Sequence, residues 1–392
     1  MSIKKRINRI LKYSYCFYSR HLTKATDNSG IVLLLFFGRI GDAVMFLDVI
    51  KEYKALYIQQ RGKKIVLGCR NEAWALFESA NVVEGIEFFE VNRENLQTSS
   101  SYFRDRVRQA NLLNAETVIH VRENHVIEDA FIYSLRIKEK IIYRVYPIEH
   151  KGFWAKYFSE HTYTQDLSGL DELDYLTSQA DLIRKLGRKE YKSIIPMLPR
   201  IDAGNYPTDK PYVCICPGAS GPNKCWPTER YAAVVNYIEE NSDYLIVMCG
   251  GKNEKGIIQA IQERADNKDR ILDYSGKSSM DEWISLIQHS AFVVCNESAS
   301  VHLAACSQVD SVCIGEQKFA DKWLPYRPEV LRESDRIPRM IRCETLSCAF
   351  CAKKNFKRAP ECNRCFQEHG IIKCVYEVSA DAVIEAVKLL LQ

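Results

Sequence analysis

The chain of 392 residues is 46% hydrophobic, so it can bury a large core, and its length suggests two or three domains. The formal net charge of +4 is small for this length and gives no argument for a nucleic-acid binder. No apolar run approaches the roughly 20 residues that a membrane-spanning helix needs, and the N-terminus lacks the pattern of a secretory signal. The sequence therefore predicts an intracellular, cytoplasmic protein.

Residues 1–30 form a basic N-terminal arm. Seven lysines and arginines precede Asp27, the first acidic residue. Apolar residues recur at helical spacing between Ile3 and Tyr18, so one face of the arm is mostly apolar and the other is basic. Residues 1–24 therefore fit a helix that lies on an anionic membrane as a peripheral contact. They also fit a helix that caps the first domain with its charges in solvent.

Residues 31–195 alternate strand-like and helix-like segments. The apolar run from Ile31 to Phe37 is followed by a glycine turn and a helical pattern from about Ala43 to Gln60. Further strand-like runs lie at residues 63–69, 85–91 and 116–121. Alternation of this kind predicts a parallel sheet flanked by helices.

Residues 196–211 are rich in proline and form the predicted linker. The alternation then restarts, with strand-like runs at residues 212–216, 243–251, 271–276, 291–296 and 310–315. The sequence predicts an α/β fold of two Rossmann-like domains, residues 31–195 and 212–392. Ligands of open α/β sheets bind beyond the carboxyl ends of the strands, so two such domains would face each other across a cleft lined by those loops.

The first apolar strand ends in the motif GRIGDAVM, residues 38–45. Gly38 and Gly41 allow a tight turn, and Asp42 lies at the mouth of the following helix. Backbone N–H groups and the helix dipole would hold a carboxylate there. Asp42 fits a plain helix cap and a general base equally well, although N–H bonds would lower its pKa and keep it a weak base.

The strand at residues 212–216 leads into PGASGPNKCWPTERY, residues 217–231. Pro227 followed by charged residues is a helix-start signature. Lys224 lies just before this helix, where it could meet a diphosphate as a point charge. A solvated loop lysine fits the same pattern.

The stretch CNESASVHLAAC, residues 295–306, forms a third strand-to-helix junction. Asn296 or Ser298 can cap the helix, whose first-turn N–H groups make an anion site. Glu297 would repel a phosphate, so it is expected to accept hydrogen bonds from a ribose. His302 lies one turn into the helix, where it could support the loop, reach a phosphate or be a satisfied buried histidine.

Together with SGKSSMDEWISLIQHSAFVVCNESASVHLAAC and IGEQKFADKWLPY, these motifs resemble glycosyltransferase family 9, the heptosyltransferase family of lipopolysaccharide core assembly. Their order and spacing match from about residue 30 to the C-terminus. The resemblance implies a GT-B fold with an N-terminal acceptor-binding domain and a C-terminal nucleotide-sugar-binding domain. It also implies an inverting transfer without a catalytic metal.

The resemblance assigns roles to single residues. Asp42 would act as the general base that takes the proton from the acceptor hydroxyl. The donor would be bound by Gly218, Lys224, Glu297, Ser298, Ala299 and His302. The helix N–H groups and Lys224 would stabilise the leaving nucleoside diphosphate in place of a metal ion.

Two stretches depart from the family pattern. The usual Asp-Ser-Gly is Glu297-Ser298-Ala299, and the usual His-Pro-Gly-Ala is Cys216-Pro217-Gly218-Ala219. The methyl group of Ala299 could crowd a phosphate, and the longer Glu297 would shift the ribose contact. A heptose is the family's best-known sugar, and another hexose or a deoxy-sugar fits as well.

Six cysteines lie within an insertion at residues 343–374. Two CxxC pairs predict a tetrahedral metal site, usually structural zinc. The predicted ligands are Cys348, Cys351, Cys362 and Cys365, with Cys343 and Cys374 as alternatives. Iron, a disulfide or six free thiols are the other interpretations. The segment after the insertion is typical of a terminal amphipathic helix.

These observations predict an inverting glycosyltransferase that moves a sugar, such as a heptose, from a nucleoside-diphosphate sugar to a hydroxyl. The acceptor would be lipopolysaccharide or another lipid-linked or surface glycan, and catalysis would need no cofactor. One alternative is another nucleotide-sugar reaction such as epimerisation, which needs a second acid–base group that the sequence does not show. The other is a non-catalytic assembly protein that uses a metal-binding cysteine finger.

Overall fold

A computed structural model divides the chain into two compact units, Met1–Ser193 and Ile194–Gln392. The described residues are 3–21, 29–121, 125–144, 152–168, 174–203, 210–317, 322–343, 346 and 360–392. Each unit contains a parallel six-stranded sheet with helices between successive strands. The predicted α/β class with two Rossmann-like domains is confirmed.

The first unit has six strands and eight helices among its described residues. Its strands are β1 (Ile31–Leu35), β2 (Lys64–Cys69), β3 (Ile86–Glu90), β4 (Thr117–Val121), β5 (Glu139–Tyr143) and β6 (Gln165–Asp166). Its helices are α1 (Ile3–His21), α2 (Ile40–Tyr53, extended by the π-helix Lys54–Gln59), α3 (Asn71–Ser79), α4 (Arg93–Thr98), α5 (Ser100–Leu112), α6 (Val126–Tyr133), α7 (Phe153–His161) and α8 (Tyr175–Leu186).

The second unit repeats this plan. Its strands are β7 (Tyr212–Cys216), β8 (Leu245–Met248), β9 (Ile271–Asp273), β10 (Val293–Asn296), β11 (Ser311–Ile314) and β12 (Arg339–Ile341). Its helices are α9 (Thr228–Asn241), α10 (Lys255–Gln262), α11 (Met280–Gln288), α12 (Ala299–Cys306), α13 (Pro360–His369), α14 (Lys373–Tyr376) and α15 (Ala380–Leu391).

Both sheets reverse their direction of growth once. The strand orders are β3-β2-β1-β4-β5-β6 and β12-β11-β10-β7-β8-β9. The order therefore switches between β1 and β4 in the first sheet and between β7 and β10 in the second. Parallel sheets of this kind bind ligands at the carboxyl ends of the strands beside such a switch. The candidate residues follow β1, β7 and β10, three of the four switch-point strands.

The central strands β1 and β7 are apolar throughout because helices cover both faces of each sheet. Val32 to Leu35 of β1 and all five residues of β7 are buried. Strands of this kind read as continuous apolar runs without polar alternation. Such strands are therefore recognisable from the sequence alone.

Helix α1 belongs to the first unit, but it packs with a different face from the apolar one in the sequence. Ile10 and Tyr18 are 62% and 59% exposed, whereas Tyr13 and Cys16 are buried. Lys12 is also buried, and its ammonium group donates to the carbonyl of Leu96 at 3.0 Å, near the end of α4. The expectation that a capping helix would keep its charges in solvent is therefore wrong for Lys12. Its charge instead satisfies helix-terminal carbonyls.

The first part of the predicted linker is bound to the second unit. The N–H group of Leu198 donates to the carbonyl of Cys306 at 2.9 Å, and that of Ile201 donates to the side chain of Gln288 at 2.8 Å. The Gln288 amide donates in turn to the carbonyl of Pro199 at 2.7 Å.

Across the parts of the chain that the structure describes, no helix is long and apolar enough to cross a membrane.

Candidate functional site

Asn296, the last residue of β10, joins the loops at the switch point of the second sheet. Its amide donates to the carbonyls of Pro217 at 2.6 Å and Gly218 at 3.3 Å, and its oxygen accepts the N–H group of Trp226 at 3.2 Å. Asn296 is buried, so these bonds fix the loop after β7 and the approach to α9. The prediction that Asn296 could cap α12 is wrong, because its side chain instead forms hydrogen bonds with the loop after β7.

Helix α12 begins directly after Ser298. The backbone of Ser298 has the extended conformation of an N-cap residue, but its hydroxyl makes no capping bond to the helix. Ala299 is the first helical residue, and the helix is buried from Ser300 to Cys306. The Ser298 hydroxyl therefore does not bond the N–H groups of the first turn. The partial positive charge of this helix terminus favours an anion.

Lys224 closes the short 3-10 helix Pro222–Lys224 and forms an ion pair that the sequence did not reveal. Its ammonium nitrogen lies 2.6 Å from Oε1 of Glu316, which follows β11. The side chain of Glu316 is only 5% exposed and that of Lys224 is 28% exposed. A carboxylate buried to this degree requires a cationic partner, so Lys224 is positioned by Glu316.

Glu297 lies in the same charged group. Its carboxylate accepts the N–H group of Glu316 at 3.1 Å, and it lies 3.9 Å from the guanidinium group of Arg342. Burial, together with the neighbouring Glu316 carboxylate, raises the pKa of Glu297 to about 7, against the opposing effects of Arg342 and Lys224. We call Lys224, Glu297, Glu316 and Arg342 the edge cluster. It consists of two acidic and two basic side chains at the carboxyl edge of β10 and β11.

Gly218 lies against the partly buried carboxylate of Glu254. A Cβ atom at this position would overlap the carboxylate of Glu254, so no larger residue fits without a rearrangement. Glu254 also accepts the N–H group of Gly251, at the start of the 3-10 helix Lys252–Glu254. Burial raises the pKa of Glu254. The loops after β7 and β8 thus meet through this side chain.

His302 is buried on α12. Its Nδ1 atom lies 2.7 Å from the hydroxyl of Tyr326, close enough for a hydrogen bond. This contact supports the interpretation of His302 as a residue that braces α12 against the segment after the cis peptide bond Leu324–Pro325.

Asp42 lies in the first turn of α2, in the first unit. Its carboxylate accepts the N–H group of Arg39 at 2.9 Å, which is the backbone half of a capping box. A Cβ atom on Gly38 would overlap the ring of Phe36 and approach Cβ of Asp42 to 2.8 Å. The glycine turn is therefore needed to place Asp42 at the end of β1.

Three arginines meet at the carboxyl edge of the first sheet, each following a different strand. Arg39, Arg70 and Arg93 lie 3.9, 3.3 and 3.9 Å from the carboxylate of Glu94. Partial burial opposes the charge of Glu94, but a backbone hydrogen bond and these arginines keep its pKa below the usual value. We call these residues the arginine triad. Sequence reasoning missed it because its members lie on separate loops.

A buried polar network supports the arginine triad. Arg93 lies 3.4 Å from Glu128, and Glu128 lies 3.1 Å from Nε2 of His120 on β4. Nδ1 of His120 contacts the hydroxyl of Tyr163 at 2.8 Å, and that hydroxyl donates to Asp129 at 2.6 Å. Burial lowers the pKa of His120 to about 4, so the ring is neutral at physiological pH.

The described cysteines of the insertion are largely buried. Cys362 and Cys365 lie one turn apart on α13, and Cys374 lies on α14. Cys348 and Cys351 lie outside the described residues. Among the residues that are described, no three or more histidine, cysteine or acidic side chains are placed to hold a metal. Structural zinc stays a prediction, which metal analysis of the purified protein would test.

Comparison with known proteins shows which family the sequence resembles. Residues 173–334 match the model of glycosyltransferase family 9 (heptosyltransferase). Lipopolysaccharide heptosyltransferase 3 of Escherichia coli is 21% identical over 227 residues, which cover 56% of this chain and 64% of that protein. Lipooligosaccharide heptosyltransferase 2 of Haemophilus influenzae is 28% identical over 100 residues, 25% of this chain and 29% of that protein. The chain thus spans less than two-thirds of either relative.

Solved structures share the fold. A family 9 glycosyl transferase from Veillonella parvula aligns with a TM-score of 0.64 at 15% identity, covering 94% of this chain and 99% of its own. The E. coli heptosyltransferase WaaC with ADP-2-deoxy-2-fluoro heptose aligns with a TM-score of 0.56 at 15% identity, covering 83% and 98%. The two Rossmann-like domains therefore have the predicted GT-B fold, which these solved structures share. The resemblance to glycosyltransferase family 9 that the motifs predict is therefore confirmed, with the family match covering residues 173–334.

Proposed function

We propose that this protein transfers a sugar from a nucleoside-diphosphate sugar to a hydroxyl group of a lipopolysaccharide or related surface-glycan acceptor, with inversion at the sugar. The observation that carries the proposal is the edge cluster beside the N-terminus of α12, at the switch point of the second sheet. It combines a helix terminus suited to phosphate with a lysine held in place by a buried carboxylate. The ligand in the WaaC structure, ADP-2-deoxy-2-fluoro heptose, makes ADP-heptose the first donor to test.

The second unit would bind the donor. In this assignment the backbone at Ser298 and Ala299 receives the phosphates and Lys224 neutralises the leaving diphosphate. Glu297 accepts hydrogen bonds from the ribose, and the tight turn at Gly218 brings the backbone close to the nucleotide. His302 keeps α12 in position through Tyr326. Gly218 and Lys224 follow β7, Glu297 and Ser298 follow β10, and Ala299 and His302 belong to α12.

The first unit would bind the acceptor. Asp42 takes the proton of the attacking hydroxyl while the bond between the sugar and the diphosphate breaks, and the electron pair leaves with the diphosphate. The arginine triad provides an anion site beside Asp42, suited to a phosphate or carboxylate group of the acceptor. Glu94 occupies that site in the free protein and would be displaced.

A thermal-shift titration with ADP, UDP, GDP and CDP tests the donor assignment. Binding of one nucleoside diphosphate is expected to raise the unfolding temperature in a concentration-dependent manner. The nucleotide that does so identifies the sugar panel for transfer assays. If none stabilises the protein at millimolar concentration, the second unit is not a donor site and a non-catalytic role becomes the better interpretation.

We expect the affinity for that nucleoside diphosphate to depend on the protonation of Glu297. Its pKa is raised to about 7, so the carboxyl is neutral below this pH and anionic above it. An anion beside Lys224 repels the diphosphate, and the dissociation constant should therefore rise about fivefold between pH 6 and pH 8. Calorimetric titrations at several pH values measure this change.

Glu297→Gln is the matched control for this pH profile. It keeps an oxygen that accepts the N–H group of Glu316 but has no charge to lose. Its remaining pH dependence reports the nucleotide, whose own phosphate gains charge near pH 6 and binds better at higher pH. Identical profiles for the wild type and Glu297→Gln would show that the charge of Glu297 does not act on the bound diphosphate.

We also propose that α1 holds the protein against anionic membrane, where lipid-linked acceptors would be found. Ile10, Leu11 and Tyr18 are exposed on one side of the helix, and Phe153 of the neighbouring α7 is also exposed. Exposed apolar side chains on a helix that also carries exposed arginines, Arg9 and Arg20, fit a lipid surface of negative charge.

Ile10→Ser combined with Tyr18→Ser is expected to reduce binding to vesicles containing phosphatidylglycerol by about tenfold, since each side chain loses apolar area that would enter the lipid. Flotation of protein with vesicles measures the bound fraction. Ile337→Ser is the matched control, because Ile337 is an exposed isoleucine in the second unit. Equal loss in both variants, or no binding by the wild type, would contradict membrane contact through α1.

A further inference from the structure

The segment between α13 and α15 contacts both sides of the ion pair between Lys224 and Glu316. On the lysine side, the N–H group of Ile372 donates to the carbonyl of Asn223 at 2.9 Å. Asn223 directly precedes Lys224 in the 3-10 helix Pro222–Lys224. A backbone bond at this point restricts where the lysine can lie.

The same segment holds the glutamate side two residues later. Sγ of Cys374 accepts the N–H group of Gln317 at 3.5 Å, and the Gln317 amide donates to the carbonyl of Cys343 at 3.2 Å. Gln317 directly follows Glu316. The contacts therefore form a closed ring, which runs from Ile372 through the Lys224–Glu316 pair and back to Cys374.

The ring is anchored to a rigid part of the fold. Nε1 of Trp226 donates to the carbonyl of Val378 at 2.9 Å, and the guanidinium group of Arg230 donates to the same carbonyl at 2.7 Å and to that of Tyr376. Trp226 and Val378 are buried in the core of the second unit. The turn at residues 372–374 is thus fixed at its C-terminal side to the start of α9.

We infer that the turn Ile372–Cys374 is the positioning element of the donor subsite, an inference that rests on the proposed function. It sets the separation of the Lys224 and Glu316 loops, so it determines whether the lysine can reach a diphosphate. Ile372 and Cys374 are positioning residues, since they act through their neighbours and touch no ligand.

Ile372→Pro and Ile372→Val form a matched pair that tests the lysine side. Ile372 has a φ of −69°, which proline adopts without strain. Proline therefore removes the backbone N–H group and part of the side-chain volume. Valine trims the side chain but keeps the N–H group. Cys374→Ala removes the sulfur acceptor on the glutamate side. Two measurements are needed: amide exchange without nucleotide, and the dissociation constant of the nucleoside diphosphate.

We expect Ile372→Pro to speed amide exchange around residues 222–226 and Cys374→Ala to speed it around residues 315–317. Both variants should bind the nucleoside diphosphate about fivefold more weakly, the equivalent of one lost hydrogen bond, while Ile372→Val stays within about twofold of the wild type. Unchanged exchange in the first two variants, or equal weakening by Ile372→Val, would overturn the inference. If amide exchange responds but the wild type binds no nucleoside diphosphate, the turn holds the Lys224 and Glu316 loops and the proposed function is wrong.

Discussion

Replacing Lys224 with methionine is expected to have two separable effects. It leaves Glu316 buried without its cation, which should lower the free energy of unfolding by about 2 kcal/mol, less than for a fully buried pair because Lys224 is partly exposed. It also removes the charge that meets the diphosphate, so nucleotide affinity should fall about 10- to 100-fold. Thermal unfolding and calorimetric titration measure the two effects separately.

The double variant Lys224→Met with Glu316→Gln separates stability from binding. Neutral glutamine needs no cation, so the double variant should recover most of the lost stability. It should not recover nucleotide affinity, because the positive charge is still absent. Glu316→Gln alone removes the carboxylate that positions Lys224 but keeps the positive charge, so its affinity for the nucleoside diphosphate should fall less than that of Lys224→Met. Wild-type affinity in the double variant would show that Lys224 has only a structural role.

Asp42→Asn is expected to remove sugar transfer while leaving the protein folded. Loss of a general base lowers the rate by about 10²- to 10⁴-fold. Asparagine still offers an oxygen to the N–H group of Arg39, so the start of α2 should be retained, with a loss of at most about 1 kcal/mol from the helix dipole. Nucleotide affinity should be unchanged, since the donor residues lie in the second unit.

Asp48→Asn is the matched control for this prediction. Asp48 lies on the same helix, accepts the hydroxyl of Tyr191 at 2.9 Å and has no part in the proposed chemistry. It removes the same charge from α2 and should keep the transfer rate within about twofold of the wild type. Equal rates for Asp42→Asn and the wild type would leave Asp42 as a helix cap only.

The sheets were predictable from the sequence for a physical reason. Parallel strands covered on both faces must be apolar throughout, and residues 31–35 and 212–216 show this directly. The loops after the strands carried the glycine turns and the helix starts, so Asp42, Lys224 and Ser298 were found at the expected sheet edges. Local patterns of this kind depend on neighbours in sequence, which a single chain provides.

The partners of those residues were not predictable. Lys224 and Glu316 are 92 positions apart in the chain, and nothing local to Glu316 distinguishes it from a solvated glutamate. Asn296 has the local pattern of a helix cap, but burial beside Pro217 redirected its amide to two loop carbonyls. The same holds for Lys12, whose place in the basic arm suggested solvent. In each case a tertiary contact decided the role of a side chain that local sequence left open.

The most direct test of the account is a transfer reaction with ADP-heptose and a lipopolysaccharide acceptor that lacks its outer sugars, followed by mass spectrometry of both products. The acceptor should gain one heptose for each ADP released by the wild type. Both products should form at least about 100-fold more slowly with Asp42→Asn, which still binds ADP. Release of ADP without gain of mass by any acceptor, or a donor converted to an epimer of equal mass, would contradict glycosyl transfer as the function of this protein.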